Sequence, residues 1–221
     1  MDETLLHETV AAALKAGADA AEAVFAERQS LSVNVRMGDL EEVEREEARD
    51  LGIRVFVGKR QAVVSGSDVS AEGRRKLIER VVAMARLAPE DPYAGFASAD
   101  RLATGPFPDL DLFDTAEPSP EALEDMSREA ETAVRAVEGV TNSDGGSAAW
   151  SAAQWRLVTS AGFSGLHRAS GFSLSASAVA GEGSAMERGG EGRTVRHRAD
   201  LPSATVIGAE AGKRAVQRLR A

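Results

Sequence analysis

The feature that most restricts how this chain can fold is a two-residue alternation that reverses at glycine-centred turns. Leu31, Val33 and Val35 alternate with Ser32, Asn34 and Arg36, and the run stops at Met37-Gly38-Asp39. Leu51, Ile53, Val55 and Val57 repeat the pattern as far as Gly58-Lys59-Arg60, and Ala62-Val63-Val64 resumes it. Successive side chains on a strand point to opposite faces, so such runs separated by short turns predict antiparallel hairpins with one buried face. The returning stretch Leu40 to Arg49 is highly charged and is expected as an edge strand, or as a strand with one face fully in water.

Helical signals bracket these strands. Leu5, Leu6, Thr9, Ala12, Ala13 and Ala16 recur at helical spacing before Gly17, which predicts a first helix over Glu3 to Ala16. Ser70 is a candidate N-cap for a second helix striped by Leu77, Ile78, Val81, Val82 and Ala85 and stopped by Pro89. The first part of the chain therefore reads α-β-β-β-β-α. Six of the seven prolines lie from Pro89 to Pro120, interspersed with Asp91, Asp100, Asp109, Asp111 and Asp114, so an extended connector is expected over residues 91–118.

Beyond the connector, Ser119-Pro120-Glu121 is a helix start, with Leu123, Met126, Ala130, Ala133 and Val137 at helical spacing and Gly139 as the stop. Val140 to Ser147, Ala153 to Ser160, Gly165 to Ser170 and Phe172 to Ala180 look extended, and a last helix is expected from Ser203 to Arg220. The expected class is α+β, with two lobes at 1–90 and 119–221 and mainly antiparallel sheets. The repeated element order is compatible either with a duplicated α-β-β-β-β-α unit or with a chance match. Gly181 to Gly192 holds five glycines and is expected as a mobile hairpin tip or loop.

Composition removes whole classes of function. The net charge of −9 opposes contact with a phosphate backbone, so nucleic acid is not an expected partner. The absence of cysteine removes disulfides, thiolate nucleophiles and Cys-ligated metal centres, and fits a cytoplasmic location. The start Met1-Asp2-Glu3 is acidic where an export signal needs a basic region, and no apolar run is long enough for a membrane span. A hydrophobic content of 43% supplies a core, but with only ten aromatic residues it must pack through small aliphatic side chains.

The search for chemistry assigns no catalytic, cofactor-binding or metal-binding residue. His7-Glu8 opens like a zinc-helix motif, but positions 11 and 12 are both alanine, so the second imidazole is missing; His167 and His197 lie in separate segments. Gly162-Phe163-Ser164-Gly165 approaches a nucleophile elbow but reads better as a hairpin turn, and Ser173, Ser175 and Ser177 read as the wet face of a strand. Glu41, Glu42, Glu44, Glu46 and Glu47 are interrupted by Arg45, with Arg49 beyond, and lack a chelating glycine turn, which favours a solvated edge strand over a cation site. Arg188, Arg193, Arg196 and Arg198 form the one basic cluster, open either to solvent or to a carboxylate or phosphate.

The stretch from Leu31 to Glu44, followed by Leu51-Gly52-Ile53-Arg54-Val55-Phe56-Val57 and Ser65-Gly66-Ser67-Asp68-Val69-Ser70, resembles the first blocks of the TldD/PmbA family. Ala88 to Gly95, Asp109 to Asp114, Thr141-Asn142-Ser143-Asp144-Gly145-Gly146 and Met186-Glu187-Arg188 resemble its PmbA (TldE) branch more than TldD. The resemblance spans the chain and implies the amino-terminal half of a longer subunit. It further implies a cytoplasmic zinc-dependent peptidase in which a TldD-like partner carries the H-E-x-x-x-H metal motif, so no cofactor is expected in this chain. The implied role is scaffold and cleft wall, with a TldD-like subunit or a second copy as partner and an extended peptide as substrate. The competing reading is a non-enzymatic peptide- or protein-binding assembly module.

Overall fold

The computed structural model describes residues 3–219. The elements run α1 (Glu3–Lys15), β1 (Ala20–Arg36), β2 (Asp39–Val57), β3 (Arg60–Gly66), α2 (Ala71–Leu87), α3 (Pro120–Arg135), β4 (Val140–Thr159), β5 (Ser164–Ala180), β6 (Glu187–Val195) and α4 (Ala204–Arg218). The expected extension of the last helix to Arg220 lies outside the described residues. The class is α+β, as expected, with one six-stranded antiparallel sheet in the order β3-β2-β1-β4-β5-β6.

The strand count corrects the expected unit. Leu40 to Arg49 and Leu51 to Val57 are one 19-residue strand, because Asp50-Leu51-Gly52 offers no turn and Gly52 lies within the strand. A Cβ at Gly52 would stand 2.9 Å from Val24 Cγ1, so this glycine serves close packing rather than chain reversal. In the same way β4 joins Val140–Ser147 to Ala153–Ser160 almost to its end, and β5 joins Gly165–Ser170 to Phe172–Ala180. Each half of the sequence therefore reads α-β-β-β-α, and the repeated order holds with three strands rather than four.

A second correction concerns Gly181 to Gly192. Glu187–Val195 is a regular strand, pairing from Ala180↔Glu187 to Phe172↔Val195. A Cβ on Gly189 would stand 2.1 Å from the Ala215 backbone nitrogen, and one on Gly192 would stand 3.1 Å from Ser175 Cβ. These glycines are required by close approach, whereas Gly181 and Gly183, with φ of +82° and +58°, do shape the turn.

The chain divides into two compact units that interleave along the sequence. Within the described residues, unit 1 comprises 3–28, 48–110 and 153–168, and unit 2 comprises 29–47, 111–152 and 169–219. The four long strands β1, β2, β4 and β5 each contribute one segment to each unit.

In unit 1, Leu6, Val10 and Ala13 of α1 and Leu77, Ile78, Val81, Val82 and Ala85 of α2 pack on Ala21, Ala23, Phe25, Leu51, Ile53 and Val55 of the sheet. Each fully buried Leu, Ile or Val side chain contributes about 1.5–3 kcal/mol. Ser70 caps α2 by accepting from Gly73 N at 3.1 Å, and Gly17 (φ +105°) ends α1. The connector contains only a single short helical turn at Ala99–Arg101, yet it is pinned: Phe96 meets the Phe56 ring edge-on at 5.0 Å and Phe107 meets Phe163 at 6.2 Å.

In unit 2, α3 and α4 pack with Leu31, Val33, Val35, Ala148, Trp150, Phe172, Leu174, Ala176 and Ala178. Small residues let the two helices touch: a Cβ on Gly208 would stand 2.0 Å from Ala130 O, and one on Gly212 would stand 2.6 Å from Val137 Cγ2. Ser119, with Pro120 behind it, caps α3 by accepting from Ala122 N at 3.2 Å.

Candidate functional site

The residues singled out by chemistry fall in separate places. His7 Nε2 lies 3.6 Å from Glu3 on α1, His167 stacks against Trp155 at 5.1 Å, and His197 Nε2 lies 2.8 Å from the Asp111 carbonyl. Among the described residues no group of three or more His, Asp or Glu is placed to hold a metal ion. The β4–β5 turn spans residues 160–163, so of the stretch Gly162 to Gly165 read as a hairpin turn, Ser164 and Gly165 already belong to β5, and the Ser164 hydroxyl donates to Glu3 rather than standing ready for attack. That hydrogen bond, with Arg156 beside it, holds the Glu3 carboxyl below its usual range.

Three of the four arginines in the basic cluster are engaged within the fold. Arg188 pairs with Asp144 at 3.0 Å, Arg193 shares the buried Glu191 with Arg214, and Arg196 donates to Ser170 O at 3.0 Å. The backbone N–H of Arg198 donates to Asp114 at 2.9 Å.

The charged run Leu40 to Arg49 forms an open edge. The register of β2 with β3 runs from Leu51↔Gly66 to Val57↔Arg60, so β3 stops before it reaches residues 39–50. Among the described residues no other strand of the sheet adjoins them on that side, and residues 39–47 are exposed without exception. This is a strand segment whose outward backbone groups face solvent, the geometry that accepts an additional strand.

Alternation then sorts its side chains. Glu42, Glu44, Glu46 and Asp50 share the face of Gly52 and Arg54, whereas Glu41, Val43, Arg45, Glu47 and Arg49 share the face of Leu51 and Ile53. Glu42 accepts from Asn34 at 3.0 Å, Arg45 pairs with Glu47 and Glu117 at 3.1 and 3.4 Å, and Arg49 pairs with Glu27 at 3.2 Å. No ion pair within the described residues engages Glu44 or Glu46.

Beside this edge lies a groove of about 460 Å³, entirely within unit 2. Asn34 and Glu42 stand at one end, Ser147, Ser175 and Ser177 along it, and Gly190 and Gly192 at the other. The register places Ser175 opposite Gly192 and Ser177 opposite Gly190. Three segments read separately from the sequence, the acidic run, the alternating serines and the glycine-rich stretch, are thus brought together. The groove itself was missed, although glycines two apart opposite serines two apart would have marked a shallow sheet face.

The groove offers hydroxyls, amides and backbone groups, with no histidine or lysine beside its serines to act as base. Its carboxylates do not fit a zinc ion: Glu42 is bonded to Asn34, Asp144 to Arg188 and Glu191 to two arginines, while Glu41 lies 3.9 Å from Arg36. No imidazole joins them among the residues lining the groove.

Comparison with known proteins agrees with this architecture. Residues 21–85 match the domain described as PmbA/TldA metallopeptidase domain 1, and residues 113–219 match the PmbA/TldA metallopeptidase central domain. Metalloprotease PmbA of Escherichia coli O157:H7 is 32% identical over 97% of this chain and 48% of its own length. The PmbA homolog of Haemophilus influenzae is 31% identical over 94% of this chain and 46% of its own length. The chain thus spans about half the length of the curated relatives it matches.

Two crystal structures share the fold. A candidate modulator of DNA gyrase from Bacteroides thetaiotaomicron superposes with a TM-score of 0.89 at 24% identity, over 97% of this chain and 49% of that one. TldE from Thermococcus kodakarensis superposes with a TM-score of 0.78 at 17% identity, over 98% of this chain and 47% of that one. With both domain matches in order along the chain and a 32% identical relative, this protein belongs to the PmbA/TldA metallopeptidase family, on its PmbA/TldE side.

Proposed function

We propose that this chain is the peptide-holding, non-metal part of a TldD/TldE-type peptidase assembly, contributing scaffold and cleft wall while a TldD-like subunit or a second copy completes the complex. The observation that carries the reading is the open edge at residues 39–47, which lies with a shallow groove in unit 2. Main-chain pairing to such an edge holds an extended peptide largely independently of its sequence. Chemistry then falls to the partner, because the carboxylates in the groove are already bonded within the fold. Zinc, when bound by a TldD-like partner, would polarise the scissile carbonyl and activate water.

The test has two arms. Amide exchange of this chain is measured with and without an unstructured peptide, and slowed exchange over residues 39–50 is expected. Peptide hydrolysis is then measured for the chain alone, for the full-length parent protein, and for that parent with a TldD-type subunit, each with and without a chelator. Chelator-sensitive turnover that requires the partner supports the proposal. Turnover by the chain alone, unaffected by chelator, would sink it.

A further inference from the structure

We infer that the open edge of β2 selects extended peptides carrying lysine or arginine at every second position. This rests on the peptide-holding reading above and adds the chemical class of the peptide. Over Asp39 to Asp50 seven acidic side chains face two basic ones, and both arginines are already paired, Arg45 with Glu47 and Glu117 and Arg49 with Glu27. One face carries no basic side chain between Leu40 and Asp50, and on it Glu44 and Glu46 follow Glu42 at two-residue spacing.

A strand added to this edge runs beside β2 at the normal inter-strand distance, and its side chains alternate with the same period of two. Every second residue of the incoming peptide therefore stands next to the row Glu42, Glu44 and Glu46, at intervals of about 7 Å along the strand. Cations at those positions form cross-strand ion pairs, and carboxylates there are repelled. On the other face the edge exposes Val43 between Glu41 and the paired Arg45, so the intervening peptide residues meet a mixed surface that asks for no particular charge.

Carboxylates on an edge also discourage strand addition between like chains, and that alternative makes a different prediction. A purely protective row leaves residues 39–50 without slowed exchange for any peptide. A selective row slows their exchange for one charge class.

The experiment uses the whole chain and three ten-residue peptides in which threonine alternates with lysine, glutamate or serine. Fluorescence anisotropy gives affinities at low and high salt, and amide exchange locates the contact. The lysine peptide is expected to bind at least tenfold tighter than the serine peptide at low salt, to lose most of that advantage at high salt, and to slow exchange over residues 39–50. Methylating the backbone nitrogens along one edge of the lysine peptide should abolish binding. The double substitution Glu44→Lys with Glu46→Lys, at exposed positions outside the core, should leave the melting transition in place and reverse the preference toward the glutamate peptide.

Equal affinities with slowed exchange at residues 39–50 would overturn the charge selectivity and leave the peptide-holding edge intact. Slowed exchange elsewhere, or with none of the peptides, would overturn both.

Discussion

The carboxylate of Glu131, only 1% exposed on α3, accepts the backbone N–H of Gly38 at 2.8 Å, and the neighbouring Met37 N–H donates to the same group at 2.5 Å. Met37 and Gly38 both have positive φ, 54° and 84°. A buried acid thus satisfies two donors that a tight turn leaves unpaired, and it holds the start of the acidic edge against the unit 2 core.

Removing that acceptor is expected to be costly. Glu131→Ala leaves two turn N–H groups without a partner and should destabilise by about 2–4 kcal/mol. Glu131→Gln keeps the shape but presents an amide NH₂ to one of the two donors, so about half that loss is expected. Urea unfolding measures both; two variants equal to the parent would show that water replaces the carboxylate.

Glycine positions should separate by cause. Gly208→Ala places a Cβ 2.0 Å from Ala130 O between two packed helices and is expected to cost about 3 kcal/mol or more. Gly58→Ala, with φ +58° and open space around it, should cost only the backbone penalty of about 1–2 kcal/mol. Thermal melts rank the pair, and the opposite order would contradict the close α3–α4 approach.

The end of the connector should tighten as pH falls toward 6. A hydrogen bond with the Asp111 carbonyl, aided by the charges of Asp111, Asp114 and Asp200, raises the pKa of His197 above its ordinary value. A raised folded-state pKa makes its stabilisation fully present below the unfolded value near 6.5 and lost as pH rises through the folded value. Asp114 acts oppositely: the Ala116 and Arg198 amides lower its pKa, so its contribution weakens only in acid. Proteolysis within residues 102–110 should therefore quicken from pH 6 to pH 8, and His197→Gln should flatten that dependence.

The two tryptophans should report their surroundings separately. Trp150 is buried in the unit 2 core, whereas Trp155 is 41% exposed and stacked on His167. Acrylamide is expected to quench one emitting population readily and the other poorly, and Trp155→Phe should remove the accessible one. A single uniformly quenched population would place both indoles wrongly.

Much of this fold is written in local pattern. The alternation of Leu31, Val33 and Val35, the caps Ser70, Ser119 and Ser203, and the stops at Gly17 and Gly139 specify four helices, the α+β class and antiparallel hairpins, because each depends on residues only a few positions apart. The family resemblance was legible for the same reason, as short motifs in order. Tertiary structure alone decided that Leu40 to Val57 is one strand, that Gly189 and Gly192 lie in a strand beside a helix and a serine rather than in a loose loop, and that the units interleave. It also decided that β3 stops short and leaves the acidic edge open. Main-chain hydrogen bonding looks the same for every residue type, so which distant strand lies beside which, and where a neighbour ends, is settled by packing across the whole unit rather than by any local signal.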